Sequence, residues 1–322
     1  MGRDGNQPPA PSHIPVLAAA ALDWLGIKGD GVYVDCTAGL AGHSTLIASR
    51  LTTGRLIALD RDPASVEIAR ERLAGFPNAV VVHGNYGELK AVLAGLGVNE
   101  ADGVLIDAGF SSMQLEDARR GFTFQQEGPL DMRLDTSSGE TAGEFLASVG
   151  EVELARILKE YGDVRPARRI AAAIVRRRDR GAMETTGDLA GAVCDALDFV
   201  SGQPDEVRTV FQAIRIAVND ELRWLRKGME EAIDVLRPGG RLVAIAFHSG
   251  EDRIIKNVLR DASHPRRDLY PDGRVRSVRP PRVRILTPKP IKPGQAEIAR
   301  NPRAKSALLR AGEKLEQGGA AE

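Results

Sequence analysis

Cysteine and aromatic residues are scarce in this chain, and long apolar runs are missing. Its 322 residues include 2 cysteines, Cys36 and Cys194, which are too few for a disulfide framework or a Cys-x-x-Cys metal clamp. A reducing cytoplasm is the expected compartment, and no metal is expected. No stretch reaches the roughly 18 unbroken apolar residues of a spanning helix, so no membrane is expected as partner. The nearest imitation of a signal peptide, Ile14 to Leu22, is short, contains Pro15 and ends at Asp23. Aromatics make up 4% of the chain, which argues against an extended stacking platform for single strands. Net charge is absent as well, because 44 Lys+Arg balance 44 Asp+Glu. That zero hides a split. From Glu251 onward there are 17 basic and 9 acidic residues, against 27 and 35 before it, so a local basic face for a polyanion is not excluded.

What is present suits a sizeable core: 43% hydrophobic and 27% charged residues, in a chain longer than the usual single domain. Short β-branched runs at Val32 to Cys36, Leu56 to Leu59, Ala79 to Val82 and Val104 to Ile106 predict four strands. Helix candidates at Ser44 to Leu51, Pro63 to Leu73 and Glu88 to Leu96 follow the first three. This is the rhythm of βαβ units around a parallel sheet. It breaks after Asp107: from Met113 to about Arg215 there are helix signals, such as Glu151 to Glu160 and Arg168 to Arg178, and no strong strand. It then resumes with a helix over Asp220 to Leu236, stopped by Pro238-Gly239-Gly240, a fifth strand over Arg241 to Phe247 and a helix over Glu251 to Arg260. Late strands are expected at Val283 to Leu286 and Ser306 to Arg310. The expected architecture is α/β, a doubly wound sheet interrupted after its fourth strand by a helical insertion.

Ligands of open α/β sheets bind beyond the carboxyl ends of the strands. The first such loop, Asp35 to His43, has Gly39 and Gly42 ahead of a helix start, fitting either a cofactor's close approach or a plain turn. Thr37 stands where the dinucleotide fingerprint needs its first glycine, and the looser D-x-G-x-G-x-G register of methyltransferases fits better. Asp60 ends the second strand, where a carboxylate can accept both ribose hydroxyls, and Asp62 before Pro63 reads as a helix cap. Tyr86 in the third loop could flank an adenine or simply pack. In the fourth, Asp107-Ala108-Gly109-Phe110 offers a carboxylate to an exocyclic amine and an aromatic to its ring; the alternative is an Asp that binds loop amides. In the fifth, His248 is either catalytic or structural, and Ser249 with Asp252 forms an S-x-x-D capping pattern.

With these residues assembled, the chain resembles the small-subunit ribosomal RNA (cytosine-N4)-methyltransferase H family, also called MraW-like. The motifs are VDCTAGLAGHS (Val34 to Ser44), LDRDP (Leu59 to Pro63), GNY (Gly84 to Tyr86), IDAGFSSMQLE (Ile106 to Glu116), RGFTFQQEGPLDMRLD (Arg120 to Asp135), FQAIRIAVNDEL (Phe211 to Leu222), PGGRLVAIAFHSGEDR (Pro238 to Arg253) and NPRAKSALLR (Asn301 to Arg310), spread from His13 to near Leu315. The resemblance implies a Rossmann-like class I S-adenosylmethionine-dependent methyltransferase sheet formed by residues 1–112 and 216–322. It also implies an all-helical domain, 113–215, inserted for substrate recognition. It implies S-adenosyl-L-methionine as cofactor and, as acceptor, the N4 amine of a cytosine in the decoding region of 16S rRNA, with the small ribosomal subunit as partner. The implied cofactor contacts are Ala41, Gly42, His43, Asp60, Tyr86, Asp107 and Gln114, and the catalytic candidates are Asp107 and His248. Departures from the family pattern are Ala41 for a glycine, Ala108 and Phe110 for Leu and Val, Gly250 for Leu, and Gln203 to Arg208 for a His-Pro-Ala-Thr-Arg stretch.

An RNA enzyme needs groups that neutralise phosphate. Two are candidates: Arg165, Arg168, Arg169, Arg176, Arg177, Arg178 and Arg180 in the insertion, and the tail from Arg266 through Arg284 to Lys305. Competing readings are a non-catalytic RNA-binding assembly factor on a methyltransferase scaffold and an NAD-dependent dehydrogenase, the latter opposed by Thr37. A DNA amino-methyltransferase lacks support because Asp107-Ala108-Gly109-Phe110 is not the Pro-Pro-Tyr/Phe pattern of that class. A homodimer stays open.

Overall fold

The computed structural model describes residues 15–198, 204–270, 272 and 274–316; His13, Ile14 and Gln203, named above, lie outside them. In chain order the first half comprises α1 (Ala18–Leu25), β1 (Val32–Asp35), α2 (Gly42–Ala48), β2 (Arg55–Asp60), α3 (Pro63–Leu73), β3 (Ala79–His83), α4 (Leu89–Gly95), β4 (Ala101–Asp107) and α5 (Ser112–Glu116). Helices α6 (Ala142–Ser148), α7 (Glu151–Gly162), α8 (Ala167–Arg178), α9 (Thr186–Ala196), α10 (Asp205–Asn219) and α11 (Glu221–Val235) follow. The chain closes with β5 (Leu236–Ala246), α12 (Ser249–Ala262), β6 (Arg266–Leu269), β7 (Val275–Arg279), β8 (Val283–Ile285), α13 (Gln295–Arg300) and β9 (Leu308–Lys314).

Seven strands form one sheet in the order β3-β2-β1-β4-β5-β9-β8. The first five are parallel and β9 runs antiparallel to β5. This is an α/β sheet wound with helices on both faces, as the alternation of strands and helices predicts. Strand residues alternate between its two faces as a period of two requires. Val34, Ile57, Leu59, Val104, Ile106, Leu242 and Ala244 pack under α4, α11 and α12, while Tyr33, Leu56, Ala58, Leu105, Val243 and Ile245 pack under α1, α2 and α3. Each such Val, Leu or Ile contributes about 1.5–3 kcal/mol of burial, which fixes the strand ends and everything mounted on them.

Between β4 and β5 a separate apolar cluster runs from Phe122 to Ile214 across α6 to α10. Among the described residues of 113–215 there is no strand, only an isolated bridge between Pro129 and Thr185. Arg215 lies inside α10, which continues to Asn219.

Several local expectations need correction. The helix before β5 ends at Val235, so Pro238-Gly239-Gly240 does not stop it but sits in an irregular stretch of β5 itself. There Gly239 adopts φ 77°, and a Cβ on Gly240 would come within 2.9–3.1 Å of three backbone carbonyls. The last strand begins at Leu308 because Pro302–Ser306 forms a 3-10 turn. The hairpin of β6 and β7 was not anticipated, since its arginines mask the strand pattern.

Asp62 joins the sheet to the segment that leads into the insertion. Its buried carboxylate caps α3 through Ala64 N–H (3.2 Å) and accepts from Ser65 Oγ (3.3 Å), Gln114 Nε2 (2.7 Å) and Arg120 Nη1 (3.0 Å). Arg120 then donates to the carbonyls of Arg133 (2.9 Å) and Leu134 (3.1 Å). Removing one partner of a buried pair strands the other. Asp62→Ala should therefore lower unfolding free energy by about 3–5 kcal/mol in urea titrations; a loss under about 1 kcal/mol would contradict this assignment.

Candidate active site

The loops after β1, β2, β4 and β5 converge on one cavity. Gly39 (φ 50°) and Ala41 (φ 57°) turn the first loop through the left-handed region, the second at a strain a glycine would avoid. The Gly39 N–H and the Asp62 N–H donate to the two oxygens of Asp60 at 2.7 and 2.8 Å, which aims that carboxylate across the loop. Thr37 serves a different loop: its Oγ1 accepts the Asp107 N–H at 2.7 Å, locking the end of β4 to the end of β1.

Gly42, His43, Asp60, Tyr86, Asp107 and Gln114 all line this cavity, of about 140 Å³. Ala41 does not; it is buried and contributes the turn. A Cβ on Gly42 would meet the Pro15 ring at 3.2 Å, and the His43 Nε2–H donates to the Val16 carbonyl (3.0 Å), so the N-terminal segment forms one wall. Tyr86 both lines the cavity and packs: its ring occupies the place where a side chain on Gly228 of α11 would begin. Gln114 has most of its amide committed, accepting from Ser111 N–H (2.8 Å) and donating to Asp62.

The electrostatics are one-sided. Burial, followed by the negative charges of Asp35 and Glu251, pushes the Asp107 carboxyl well above its ordinary value. Burial likewise raises Asp35, and raises Asp60 to about 6. The same burial lowers the imidazole of His43, whose Nδ1 lies 3.6 Å from Asp107 Oδ2, so it does not supply the missing positive charge. Asp107 Oδ1 is buried with no hydrogen-bond partner. Carboxylates held this way favour a cationic ligand.

His248 stands apart from that cavity, in a second one of about 390 Å³ that adjoins the first along Gly109, Phe110, Phe247, Glu251 and Arg303. Five of the chain's 8 phenylalanines, Phe110, Phe122, Phe124, Phe211 and Phe247, line it. The Phe110 ring lies parallel to Phe122 at 5.6 Å, and the Arg215 guanidinium sits 4.5 Å from its centre, itself held by Glu221 at 2.8 and 2.9 Å. Phe110 is thus already stacked within the chain.

The capping expectation for Ser249 and Asp252 fails by one residue. His248 occupies the N-cap position, and Glu251 reaches back to the Phe247 N–H (2.8 Å) and His248 N–H (3.3 Å). Asp252 instead pairs with Arg310 of the adjacent β9 at 2.7 and 3.0 Å. Glu251, which lines both cavities, was missed because it resembled a helix-start residue. Burial works to raise its carboxyl, but His248, the Phe247 amide and the charge of Arg215 hold it below its ordinary value. The His248 Nε2 lies 3.2 Å from Glu251 Oε1, out of line for a hydrogen bond, and Gly250 leaves room for its ring, which a Cβ there would meet at 3.1 Å.

Of the arginines nominated in α8, Arg169 pairs with Asp198, Arg177 with Asp188 and Asp195, and Arg178 caps the carbonyls of Leu146 and Val149. Arg165, Arg168, Arg176 and Arg180 are exposed. Among the described residues no helix is long and apolar enough to cross a membrane.

The chain is similar in sequence to known proteins. The chain is 48% identical over 310 residues to the ribosomal RNA small subunit methyltransferase H of Geobacter sulfurreducens, covering 94% of this chain and 99% of that protein. It is 46% identical over 301 residues to the protein of the same name from Methylococcus capsulatus (92% and 99% covered), and 44% identical over 318 residues to that of Nitrosomonas europaea (95% and 98% covered). The model of the MraW methylase family matches residues 10–315. The chain that folds these six residues around the first cavity therefore belongs to the MraW methylase family.

Proposed function

We propose that this protein transfers a methyl group from S-adenosyl-L-methionine to the exocyclic N4 amine of a cytosine in the decoding region of small-subunit ribosomal RNA. The observation that carries this reading is Asp107 Oδ1, a buried acceptor with no partner, on a residue that lines the acidic cavity just before Gly109 and Phe110, which the phenylalanine-lined cavity shares.

The residues present fit the cofactor. Asp60 can accept from ribose hydroxyls, Tyr86 and Leu225 can flank the adenine, and the surplus of carboxylate suits a sulfonium. When bound, the cofactor supplies an electrophilic methyl. The phenylalanines of the second cavity admit a planar base turned out of its strand. Asp107 accepts a hydrogen bond from the amine, which localises the nitrogen lone pair for in-line attack, and then takes the proton released as the N–C bond forms. A carboxyl whose pKa is raised by burial is a stronger base than an ordinary one, so its setting serves the transfer. Glu251, held ionised, fixes the loop after β5 through the Phe247 and His248 N–H groups and so places His248 at the second cavity. The helical insertion recognises the subunit, with Arg165, Arg168, Arg176 and Arg180 as its phosphate contacts.

Asp107→Ala should abolish methylation of isolated small subunits, and Asp107→Asn should lower turnover by about a hundredfold or more. Because the Asp107 carboxyl is raised, it is protonated and inactive as a base at low pH. The rate of the unaltered enzyme should therefore rise with pH along a limb displaced above the usual carboxylate range. Unchanged turnover in both variants would sink the assignment.

Asp60 sets cofactor affinity. Its carboxyl, raised to about 6, accepts as a full carboxylate only above that pH, so calorimetric affinity for S-adenosylhomocysteine should fall as pH drops through about 6. Asp60→Asn should weaken binding about tenfold or more and flatten this dependence. Binding of NAD in place of S-adenosylhomocysteine would favour the dehydrogenase reading.

A further inference from the structure

The hairpin of β6 and β7 stands outside the main sheet, and its two strands pair only with each other. Every residue of β7 is exposed, including Val275 at 47% and Val278 at 55%, beside Tyr270 at 47%. An isolated two-stranded ribbon is marginal in water. Residues 266–284 contain seven arginines and two aspartates. Arg274 and Arg276 each lie 5.9 Å from the Tyr270 ring, and Arg274 also pairs with Asp272.

Its position follows from the topology. Helix α12 starts at the carboxyl ends of the parallel strands, where His248 and Glu251 face the site, and runs back along the sheet. Its last residue, Ala262, accepts the Arg282 N–H at 2.8 Å, and Val283 pairs with Lys314, next to the Glu313 that faces Arg241. Both feet of the ribbon therefore stand at the amino ends of the parallel strands. Fourteen residues of α12, about 21 Å at 1.5 Å each, separate them from the catalytic loops, and the five-residue β7 spans about 17 Å.

We propose that this ribbon is a second RNA-binding surface, gripping the phosphate backbone of the small subunit at a place remote from the methylated base. Charge decides the occupant: an arginine-rich ribbon with one exposed tyrosine complements a polyanion that carries bases to stack, and its two exposed valines are too few to bury a protein interface. The proposal rests on ribosomal RNA as the substrate. It makes the substrate a large folded particle able to touch both ends of the sheet.

The test is filter retention of isolated small subunits across a salt series, using the full chain. The triple variant Arg274→Gln, Arg276→Gln, Arg279→Gln should bind about tenfold or more weakly and reduce the slope of log affinity against log salt by about two to three. The same positions changed to Lys should keep most of the slope. All variants should bind S-adenosylhomocysteine as the unaltered protein does. Unchanged retention and slope in the Gln variant overturn the proposal. So does conversion of a dimer to a monomer by Val275→Ser, Val278→Ser in sedimentation, which would make the ribbon a self-association surface. Label transferred to a base other than cytosine contradicts the preceding reading without touching this one.

Discussion

Carboxylates crowd the carboxyl ends of the parallel strands with too few cations to balance them. Asp35, Asp60 and Asp107 each end one of three neighbouring strands, β1, β2 and β4, and Glu251 enters from the next loop. Parallel pairing aligns those ends, and the two apolar faces of the sheet hold them there. Only Glu251 is stabilised in its ionised form, and it is the one with His248 and Arg215 nearby. The others are raised by burial, so the site is poised to accept positive charge and to take up a proton. Methyl transfer from a sulfonium to an amine calls for both.

The same constraint explains why the surrounding contacts are built as they are. Thr37 accepts the Asp107 N–H and fixes the end of β4, while the Gly39 and Asp62 N–H groups donate to Asp60 and fix where its carboxylate points. The Asp62 carboxylate, the best satisfied in the region, ties Gln114 and Arg120 to α3, and through them the start of the insertion to the cavity floor. A rigid acidic pocket then adjoins a phenylalanine-lined one, and the shared residues Phe110, Phe247 and Glu251 form the passage between them.

Much of this was legible in the sequence because strand ends are local features. A β-branched run that stops at an Asp places that Asp, and Asp60 and Asp107 were placed in this way. Gln114 came through the family resemblance, since nothing in its spacing marks it. What could not be read depends on tertiary meetings. The convergence of five phenylalanines brings together residues from 110 to 247, so a low aromatic content concealed a concentrated cluster. Glu251 looked like the helix-start residue that it also is. The seven arginines of α8 and its neighbourhood read as one basic face, yet three have intramolecular partners, because helices α6 and α9 lie across them. The basic C-terminal part, which balances the acidic first 250 residues, includes a ribbon at the end of the sheet opposite the catalytic loops.

In the proposed reaction the carboxylate at the end of β4 directs a methyl group onto the amine of one cytosine in small-subunit ribosomal RNA. Mass spectrometry of that RNA from cells with and without the gene tests it most directly, because base, atom and position are read together. The expected result is one cytosine in the decoding region that loses a single N4-methyl mass when the gene is absent and regains it when the gene is returned. Identical modification patterns in the two strains, or a methyl lost from carbon 5 or from a ribose oxygen, would contradict it.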